Sequence, residues 1–272
     1  MRPYVIDHDL HIHSKLSLCS SDPQQTASRI LNYAEKSGYS RICLTDHFWD
    51  PAIPGSPEWY TIQNLDHIRQ ALPLPQSENV RFMFGCETEM DRHFTIAISE
   101  KTMEQMDFII VPTTHLHMSG LTIDTDIGFD EDGIKRRREL YIERFAHLLD
   151  ADLPFRKTGI AHLTCHLACK EPEDGIYRLI DGISDQVYRE LFTSAAAKGL
   201  GIELNFDAFS YNETQKESIY RPYRIAKACG CRFYLGSDAH HPKDLDCALA
   251  NFREIVSALG LEESDKFIPA RV

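Results

Sequence analysis

Seven apolar, β-branched segments alternate with amphipathic segments along the 272 residues of this chain. The alternation constrains the fold more than any other feature, because strands separated by helices pair in parallel through crossover connections. The predicted strands are 4–12, 41–46, 81–88, 108–114, 159–164, 201–206 and 232–237. The predicted helices between them are 26–37, 61–72, 131–149, 184–198, 217–229 and 243–259.

The predicted strands are apolar along nearly their whole length, as in 108–111, which is typical of a sheet covered on both faces. A closed barrel and an open doubly wound sheet both fit this pattern. The first loops after the strands have no Gly-rich phosphate-binding sequence, which disfavours a dinucleotide-binding fold. At this length we expect a single α/β domain spanning residues 1–272.

Composition and net charge limit the cellular compartment and the kinds of partner that we expect for this protein. No apolar run approaches the ~20 residues that span a bilayer, and residues 1–8 lack the apolar stretch of a secretory signal. We therefore expect a cytoplasmic protein with no membrane partner, and assembly into a homo-oligomer stays open. The net charge of −12 argues against nucleic acid as the main partner. The eight cysteines form no paired C-x-x-C zinc pattern.

Histidines and acids concentrate at the carboxyl ends of the predicted strands. In parallel α/β folds these ends share one rim, where active sites are built. The first strand ends with His11 and His13, which share a face because side chains alternate along a strand. The other strand ends contribute His47, Glu87, His115, His117, His162, Asp238 and His240. Glu89 shares the face of Glu87 and is interpreted as a supporting or structural acid.

This mixture of imidazole and carboxylate groups predicts a metal centre. Such ligands suit Zn²⁺, Mn²⁺ or Fe²⁺. Six strands contribute, which is enough for two or three divalent ions. Cysteine is nearly absent from the set, so a closed structural zinc site is disfavoured.

The same motifs resemble the polymerase-and-histidinol-phosphatase (PHP) family of metal-dependent phosphoesterases. The matching segments are Asp9-Leu10-His11-Ile12-His13-Ser14, Thr45-Asp46-His47, Gly85-Cys86-Glu87, His115, Ile160-Ala161-His162, Glu203-Leu204-Asn205 and Gly236-Ser237-Asp238-Ala239-His240. They follow the family's order and cover almost the whole chain. The resemblance implies a distorted, TIM-like (β/α)7 barrel that usually holds three metal ions at the carboxyl ends of its strands.

The resemblance also implies how the ligands divide. One ion would take His11, His13, Glu87 and Asp238. A second would share Glu87 and take His115 and His162. A third would take His47 and His240. Where many members place a further His or Asp, this chain has Cys19, Ser20 and Asp22, which leaves three alternatives: a Cys19 thiolate ligand, replacement by Asp22, or a weakly filled third site.

The activity implied by the resemblance is hydrolysis of a small phosphomonoester, with histidinol phosphate as the natural specific substrate. Two ions would bind a bridging water and lower its pKa from ~15.7 towards neutrality, and the hydroxide would attack phosphorus. The expected catalytic residues are His240, Asp238 and His117, and the candidate proton donors are His240, His117 and a metal-bound water. Four arginines near strand-end loops are candidates for gripping phosphate, although each alone is more typical of a solvated surface: Arg92, Arg178, Arg221 and Arg224.

Three other functions are also compatible with the sequence. A PHP-type nuclease or exonuclease is the nearest, and the negative net charge speaks against it. An amidohydrolase-type C–N hydrolase would commonly use a bridging lysine, which no strand end offers. The non-enzyme alternative is a catalytically silent metal-binding barrel. The loop 48–60, rich in Pro and aromatic residues, is expected either to shape the substrate pocket or to pack over the barrel mouth.

Overall fold

Eight parallel strands form one continuous sheet in the computed structural model, which describes residues 2–20, 22–205 and 211–270. The strands are β1 (His8–Ile12), β2 (Arg41–Leu44), β3 (His47–Phe48), β4 (Arg81–Thr88), β5 (Phe108–Pro112), β6 (Thr158–Ala161), β7 (Gly201–Leu204) and β8 (Arg232–Leu235). Their order is β1-β2-β4-β5-β6-β7-β8, and β3 also pairs with β4. Because β3 resumes the course of β2 after two residues, the eight strands occupy the seven predicted positions.

The sheet is nearly closed into a barrel where β8 meets β1. The amide of His13 donates to the carbonyl of Ala239 at 3.1 Å, and the amide of Asp238 donates to the carbonyl of His11 at 2.8 Å. The chain is therefore a distorted TIM-like barrel, as the resemblance implied, and the open doubly wound sheet is excluded. The closure brings the first and last metal-type motifs of the sequence side by side.

Residues alternate between the barrel interior and the helical layer. In β5, Phe108 and Ile110 join the interior cluster, whereas Ile109 and Val111 pack in the larger outer core. The interior cluster consists of Leu10, Cys43, Met83, Phe108, Ile110, Ala161, Tyr234 and Phe267. A Cβ at Gly159 would lie 2.5 Å from the Tyr234 ring, so the barrel is filled without a central void at this level.

The segment after the last helix returns beneath the amino ends of the strands. The amide of Phe267 donates to the carbonyl of Phe233 at 2.8 Å, and its ring enters the interior cluster. The adjacent Lys266 donates to Asp7 at 3.0 Å, and Asp7 also faces the ring of His8 at 2.9 Å. This segment thus closes the end of the barrel opposite the predicted metal centre.

Nine α-helices are found in the described part of the chain. They are α1 (Ala27–Ser37), α2 (Glu58–Thr61), α3 (Leu65–Ile68), α4 (Glu100–Met103), α5 (Glu131–Asp150), α6 (Gly175–Asp181), α7 (Asp185–Lys198), α8 (Glu213–Ala228) and α9 (Pro242–Ala258). The single helix predicted over 61–72 is wrong: Asn64 caps a new helix with its side chain, so the chain forms two short helices and a 3-10 turn. Within the described ranges, no helix has the length and apolar character needed to cross a membrane.

Candidate metal centre

The histidines and acids singled out in the sequence meet at the carboxyl end of the barrel. Their ligand-type atoms form three groups, within each of which all atoms lie within 4.8 Å of one another. The first group is His11, His13, Glu87 and Asp238. The second is Glu87, His115 and His162. The third is His13, His47 and His240.

Glu87 lies at the centre of the three groups, on β4. Its Oε2 is 2.9 Å from His47 Nδ1 and 3.3 Å from His13 Nε2. Its Oε1 is 3.3 Å from His162 Nε2. The two carboxylate oxygens therefore face different sets of imidazoles, which is the arrangement a bridging carboxylate requires.

Among the residues that the structure describes, two buried carboxylate oxygens of this cluster have no hydrogen-bond partner. They are Glu87 Oε2 and Asp238 Oδ1, and Asp238 Oδ1 lies 3.1 Å from His13 Nε2 and 3.3 Å from His11 Nε2. The two imidazole Nε2 atoms are themselves 3.0 Å apart. Buried polar atoms are normally paired, because an unsatisfied one costs ~1–3 kcal/mol or more. Convergent oxygen and nitrogen lone pairs of this kind fit a divalent cation.

Two candidate ligands adopt strained backbone conformations. His162 has φ of 27° and Asp238 has φ of 53°, the left-handed region that non-glycine residues rarely enter. His162 directly follows β6, and Asp238 lies three positions after the end of β8. The turn at each place directs the side chain into the cluster. Such strain persists where the surrounding structure enforces it, and it is concentrated at functional sites.

Most of the imidazoles are oriented through Nδ1, which leaves Nε2 directed to the cluster. His11 Nδ1 is 2.6 Å from Glu203 Oε1, and His162 Nδ1 is 2.8 Å from Thr114 Oγ1. The remaining partners are Ser17 Oγ for His13 at 2.9 Å, Glu89 Oε2 for His115 at 2.8 Å and the Asp238 carbonyl for His240 at 2.7 Å. Partners of this kind fix ring orientation and tautomer in metal sites.

Glu203 and Glu89 each support more than one part of the cluster. Glu203 is fully buried, and besides His11 it accepts the backbone amide of His162 at 2.6 Å. Glu89 is also fully buried and accepts the Tyr60 hydroxyl at 3.2 Å. The structure thus places Glu89 behind His115, in the supporting position expected from the sequence.

A fully buried arginine on α5 holds Glu89 in turn. Arg144 Nη2 lies 3.4 Å from Glu89 Oε1, and the guanidinium donates to the carbonyls of Met90 at 2.8 Å, Thr113 at 2.9 Å and Asp91 at 3.1 Å. This role could not be predicted, because the helical pattern around Arg144 does not distinguish a buried arginine from a solvated one. Thr114 and Ser17 were also missed, because a hydroxyl residue in a loop after a strand has no spacing that marks it as a partner of a histidine.

Burial and the surrounding imidazoles have opposite effects on the pKa values of Glu87 and Asp238. Burial opposes ionisation of Glu87, but attraction to His47 and His11 outweighs it and holds the pKa of Glu87 well below its usual range. The pKa of Asp238 is lowered in the same way, against the effect of burial, chiefly by His11 and His240. Both carboxylates are therefore charged at neutral pH.

His117 lies outside the three groups although it shares a strand end with His115. Its ring is 5.2 Å from the His115 ring in an edge-on arrangement, and its buried Nδ1 has no hydrogen-bond partner in the described part of the chain. Burial, followed by repulsion from His115, lowers the pKa of His117 to about 3. His117 is thus a neutral imidazole in contact with the cavity above the cluster.

The structure shows where Cys19 and Asp22, the two alternative ligands for the third group, lie relative to that group. Asp22 is 2.8 Å from His241 Nε2, so its carboxylate is engaged away from His47 and His240. Cys19 lines the cavity but does not join any of the three groups. His13 occupies the third position instead, so this group contains three imidazoles without an acid.

The four arginines considered for phosphate binding point elsewhere. Arg178 pairs with Glu131, Arg221 binds Asp185 at 2.6 Å, Arg224 binds Glu217 at 2.6 Å and Arg92 lies 3.7 Å from Asp124. None of the four lines the cavity above the cluster. The structure thus places all four in surface ion pairs, which is the interpretation that the sequence favoured for each of them.

Comparisons with known proteins agree with this geometry. The family model for the PHP domain matches residues 9–207. A protein named as a probable phosphatase from Caldicellulosiruptor bescii is 23% identical over 242 residues, which span 88% of this chain and 82% of that protein. A crystal structure of histidinol phosphate phosphatase from Lactococcus lactis, complexed with zinc, L-histidinol and phosphate, is similar with a TM-score of 0.63. It is 18% identical, and the match covers 96% of this chain and 98% of that one. The matched family region includes most of the cluster, and the chain belongs to the PHP domain family.

Proposed function

We propose that this protein is a metal-dependent phosphatase that hydrolyses a small phosphomonoester. The observation that carries the proposal is the pair of buried, partnerless carboxylate oxygens of Glu87 and Asp238 among convergent imidazole nitrogens. Membership of the PHP family and the similarity to a probable phosphatase support a hydrolase of this class. The proposed catalytic unit is the single domain of residues 1–272.

The proposed ligands divide as the three groups do. One ion would be held by His11, His13, Glu87 and Asp238, a second by Glu87, His115 and His162, and a third by His47 and His240 with His13 nearby. Zn²⁺, Mn²⁺ and Fe²⁺ all suit such nitrogen and oxygen donors. Bound divalent ions would supply a nucleophile at neutral pH and neutralise charge on the phosphoryl oxygens.

The chain's own residues would position the reactants and move protons. Asp238 is proposed to orient the cluster from the end of β8, where its turn conformation fixes its carboxylate. Protonation of the leaving oxygen is proposed for His117 or His240. Burial keeps both imidazoles neutral in the free protein, so either would have to take up its proton when the phosphoryl dianion binds beside it and raises its pKa. His117 belongs to none of the three groups and lines the cavity, whereas His240 is in the third group. Comparing His117→Gln with His240→Gln therefore distinguishes loss of a proton donor from loss of metal.

The first specific substrate to measure is histidinol phosphate, because the Lactococcus lactis phosphatase of similar fold is named for it. The test is phosphate release from a panel of phosphomonoesters by metal-free protein reconstituted with Mn²⁺ or Zn²⁺, with bound metal measured in parallel. His11→Ala and Asp238→Ala should abolish hydrolysis and reduce bound metal. The exposed Leu72→Ala variant is the matched control and should retain both.

Three outcomes would contradict the proposal. Near-native rates in His11→Ala or Asp238→Ala would show that these residues are not required. Faster cleavage of oligonucleotides than of p-nitrophenyl phosphate, falling steeply with salt, would indicate a nuclease. Stoichiometric metal without turnover of any phosphoester would indicate a metal-binding barrel that is not an enzyme.

A further inference from the structure

A cavity of about 470 Å³ opens directly above the histidine and acid cluster. Its floor is formed by His47, Glu87, His115, His117, Asp238 and His240. Its walls are formed by Cys19, Pro57, Trp59, Tyr60, Met118, Leu121 and Leu167. The volume lies within the ~300–1,000 Å³ of typical small-molecule sites. A phosphoryl group on the floor would direct its organic group against these walls.

The aromatic wall is held rigidly by buried contacts. Tyr60 directs its hydroxyl away to Glu89, and its ring packs with Trp49 and Ala97 in a small buried cluster. Met118 and Leu121 pack against the same cluster. The wall is therefore preformed, so a ligand placed against it would not have to order it.

Trp59 extends this wall towards the cluster. Its side chain is 39% exposed, and its ring stands edge-on to Tyr60 at 4.7 Å and to His47 at 5.5 Å between centroids. The exposed surface of the Trp59 ring, beside the candidate metal ligands on the floor, is therefore open to a ligand. The aromatic ring of a ligand could contact Trp59 edge-on or face-on and pack against Leu121 on the same wall.

The wall carries no charge suited to a charged organic group. Among the described residues that line the cavity, none is Lys or Arg, and the carboxylates are Glu87 and Asp238. Both belong to the groups proposed to hold metal ions, so neither would be free to pair with a charge on the organic group. Among the described lining residues, an ammonium group would find no free carboxylate on the wall, and a second phosphate would find no lysine or arginine. Desolvating either charge without a partner is costly.

We infer that the organic group of the substrate is uncharged and apolar, with an aromatic ring as the best fit. The inference rests on the proposed phosphatase activity and names the substrate class of that same site. By this inference, esters of amino alcohols such as histidinol phosphate would be poorer substrates, because no residue of the wall would pair with their ammonium group.

The experiment compares esters whose leaving groups are all primary alkoxides. The substrates are 2-phenylethyl phosphate, ethyl phosphate, 2-aminoethyl phosphate and histidinol phosphate, each with the Mn²⁺- or Zn²⁺-reconstituted protein. We expect kcat/KM for the phenylethyl ester to exceed that for the ethyl ester by about 30-fold or more, because one methylene in an apolar pocket is already worth ~10-fold. The aminoethyl ester should fall below the ethyl ester.

A binding measurement provides a readout that does not depend on turnover. Calorimetry should show 2-phenylethylphosphonate binding about 30-fold more tightly than ethylphosphonate. Leu121→Ala should reduce the phenylethyl-to-ethyl ratio about tenfold in both assays, and Leu121→Asp should raise the aminoethyl-to-ethyl ratio. Leu72→Ala, the same truncation at an exposed site away from the cavity, should leave both ratios unchanged.

The possible results distinguish a failure of the inferred substrate class from a failure of the proposed phosphatase function. Equal values for the phenylethyl and ethyl esters, or a preference for histidinol phosphate over the phenylethyl ester, would overturn the inference and leave the phosphatase function standing. Failure to release phosphate from any ester would overturn the proposed function. The phosphonate ratio would then decide the inference alone.

Discussion

Replacing Arg144 by Met should destabilise the protein by about 3–5 kcal/mol, which is the usual cost of removing one partner of a buried ion pair. Arg144 and Glu89 are both fully buried, and the guanidinium also satisfies several backbone carbonyls. Methionine has a comparable length but no donor, so the carboxylate and the carbonyls would be left without partners. The loss is a large share of the ~5–15 kcal/mol that stabilises an ordinary domain.

The assay is urea unfolding of the metal-free protein followed by far-ultraviolet circular dichroism. Arg156→Met is the control, since Arg156 is exposed and should change stability by ~0.5 kcal/mol or less. Adding Glu89→Gln to Arg144→Met should cost less than the two single changes combined, because the unpaired charge is gone. If Arg144→Met does not fold, Arg144→Lys, which keeps the charge with fewer donors, should show an intermediate loss. A loss below about 1 kcal/mol for Arg144→Met would refute the reasoning.

Three further changes test other parts of the structure. Glu203→Gln should lower metal affinity about 10–100-fold, measured by chelator competition, while retaining the circular dichroism spectrum, because the imidazole it orients loses its charged partner. Gly236→Ala should reduce stability by about 1–3 kcal/mol and disturb metal binding, since its Cβ would lie 2.0 Å from Glu203 Oε1; unchanged metal stoichiometry and stability would contradict this. Burial opposes ionisation of Asp7, but hydrogen bonds from His8 and Lys266 outweigh it and hold its pKa below the usual range. Because that pKa is depressed on folding, the stabilisation is present above pH ~4 and is lost as the pH falls. Asp7→Asn should therefore cost up to ~1 kcal/mol at pH 7 and progressively less below pH 4, in urea unfolding of metal-free protein; an equal cost at both pH values would rule out this account.

Local spacing was sufficient to predict the groups that meet at the strand ends. His11 and His13 alternate on one strand, and Asp238 and His240 are spaced in the same way after β8, so each pair could be predicted from a single segment. The parallel alternation of strands and helices then implied that the segments share one rim. The meeting of the clustered residues was therefore predictable without any long-range contact, whereas closure of the sheet into a barrel was expected only from the family resemblance.

The supporting contacts could not be predicted in this way. Glu203 is 192 positions from His11, and Arg144 is 55 positions from Glu89. These pairs exist only because the barrel closes at β1 and β8 and because the Arg144 side chain on α5 reaches the segments at the ends of β4 and β5. The break within 61–72 was missed for a different reason, since apolar spacing continues through it while Asn64 caps a new helix.

The position of His13 in two of the three groups limits how the centre can fill. Its Nδ1 faces Ser17 Oγ at 2.9 Å, which leaves Nε2 as the atom directed to both groups. A nitrogen lone pair serves one cation at a time, so the four-ligand and the all-imidazole groups would compete for it. Loading would then be anticooperative: the last equivalent of metal would bind more weakly than the first, and a titration would show separate steps instead of one.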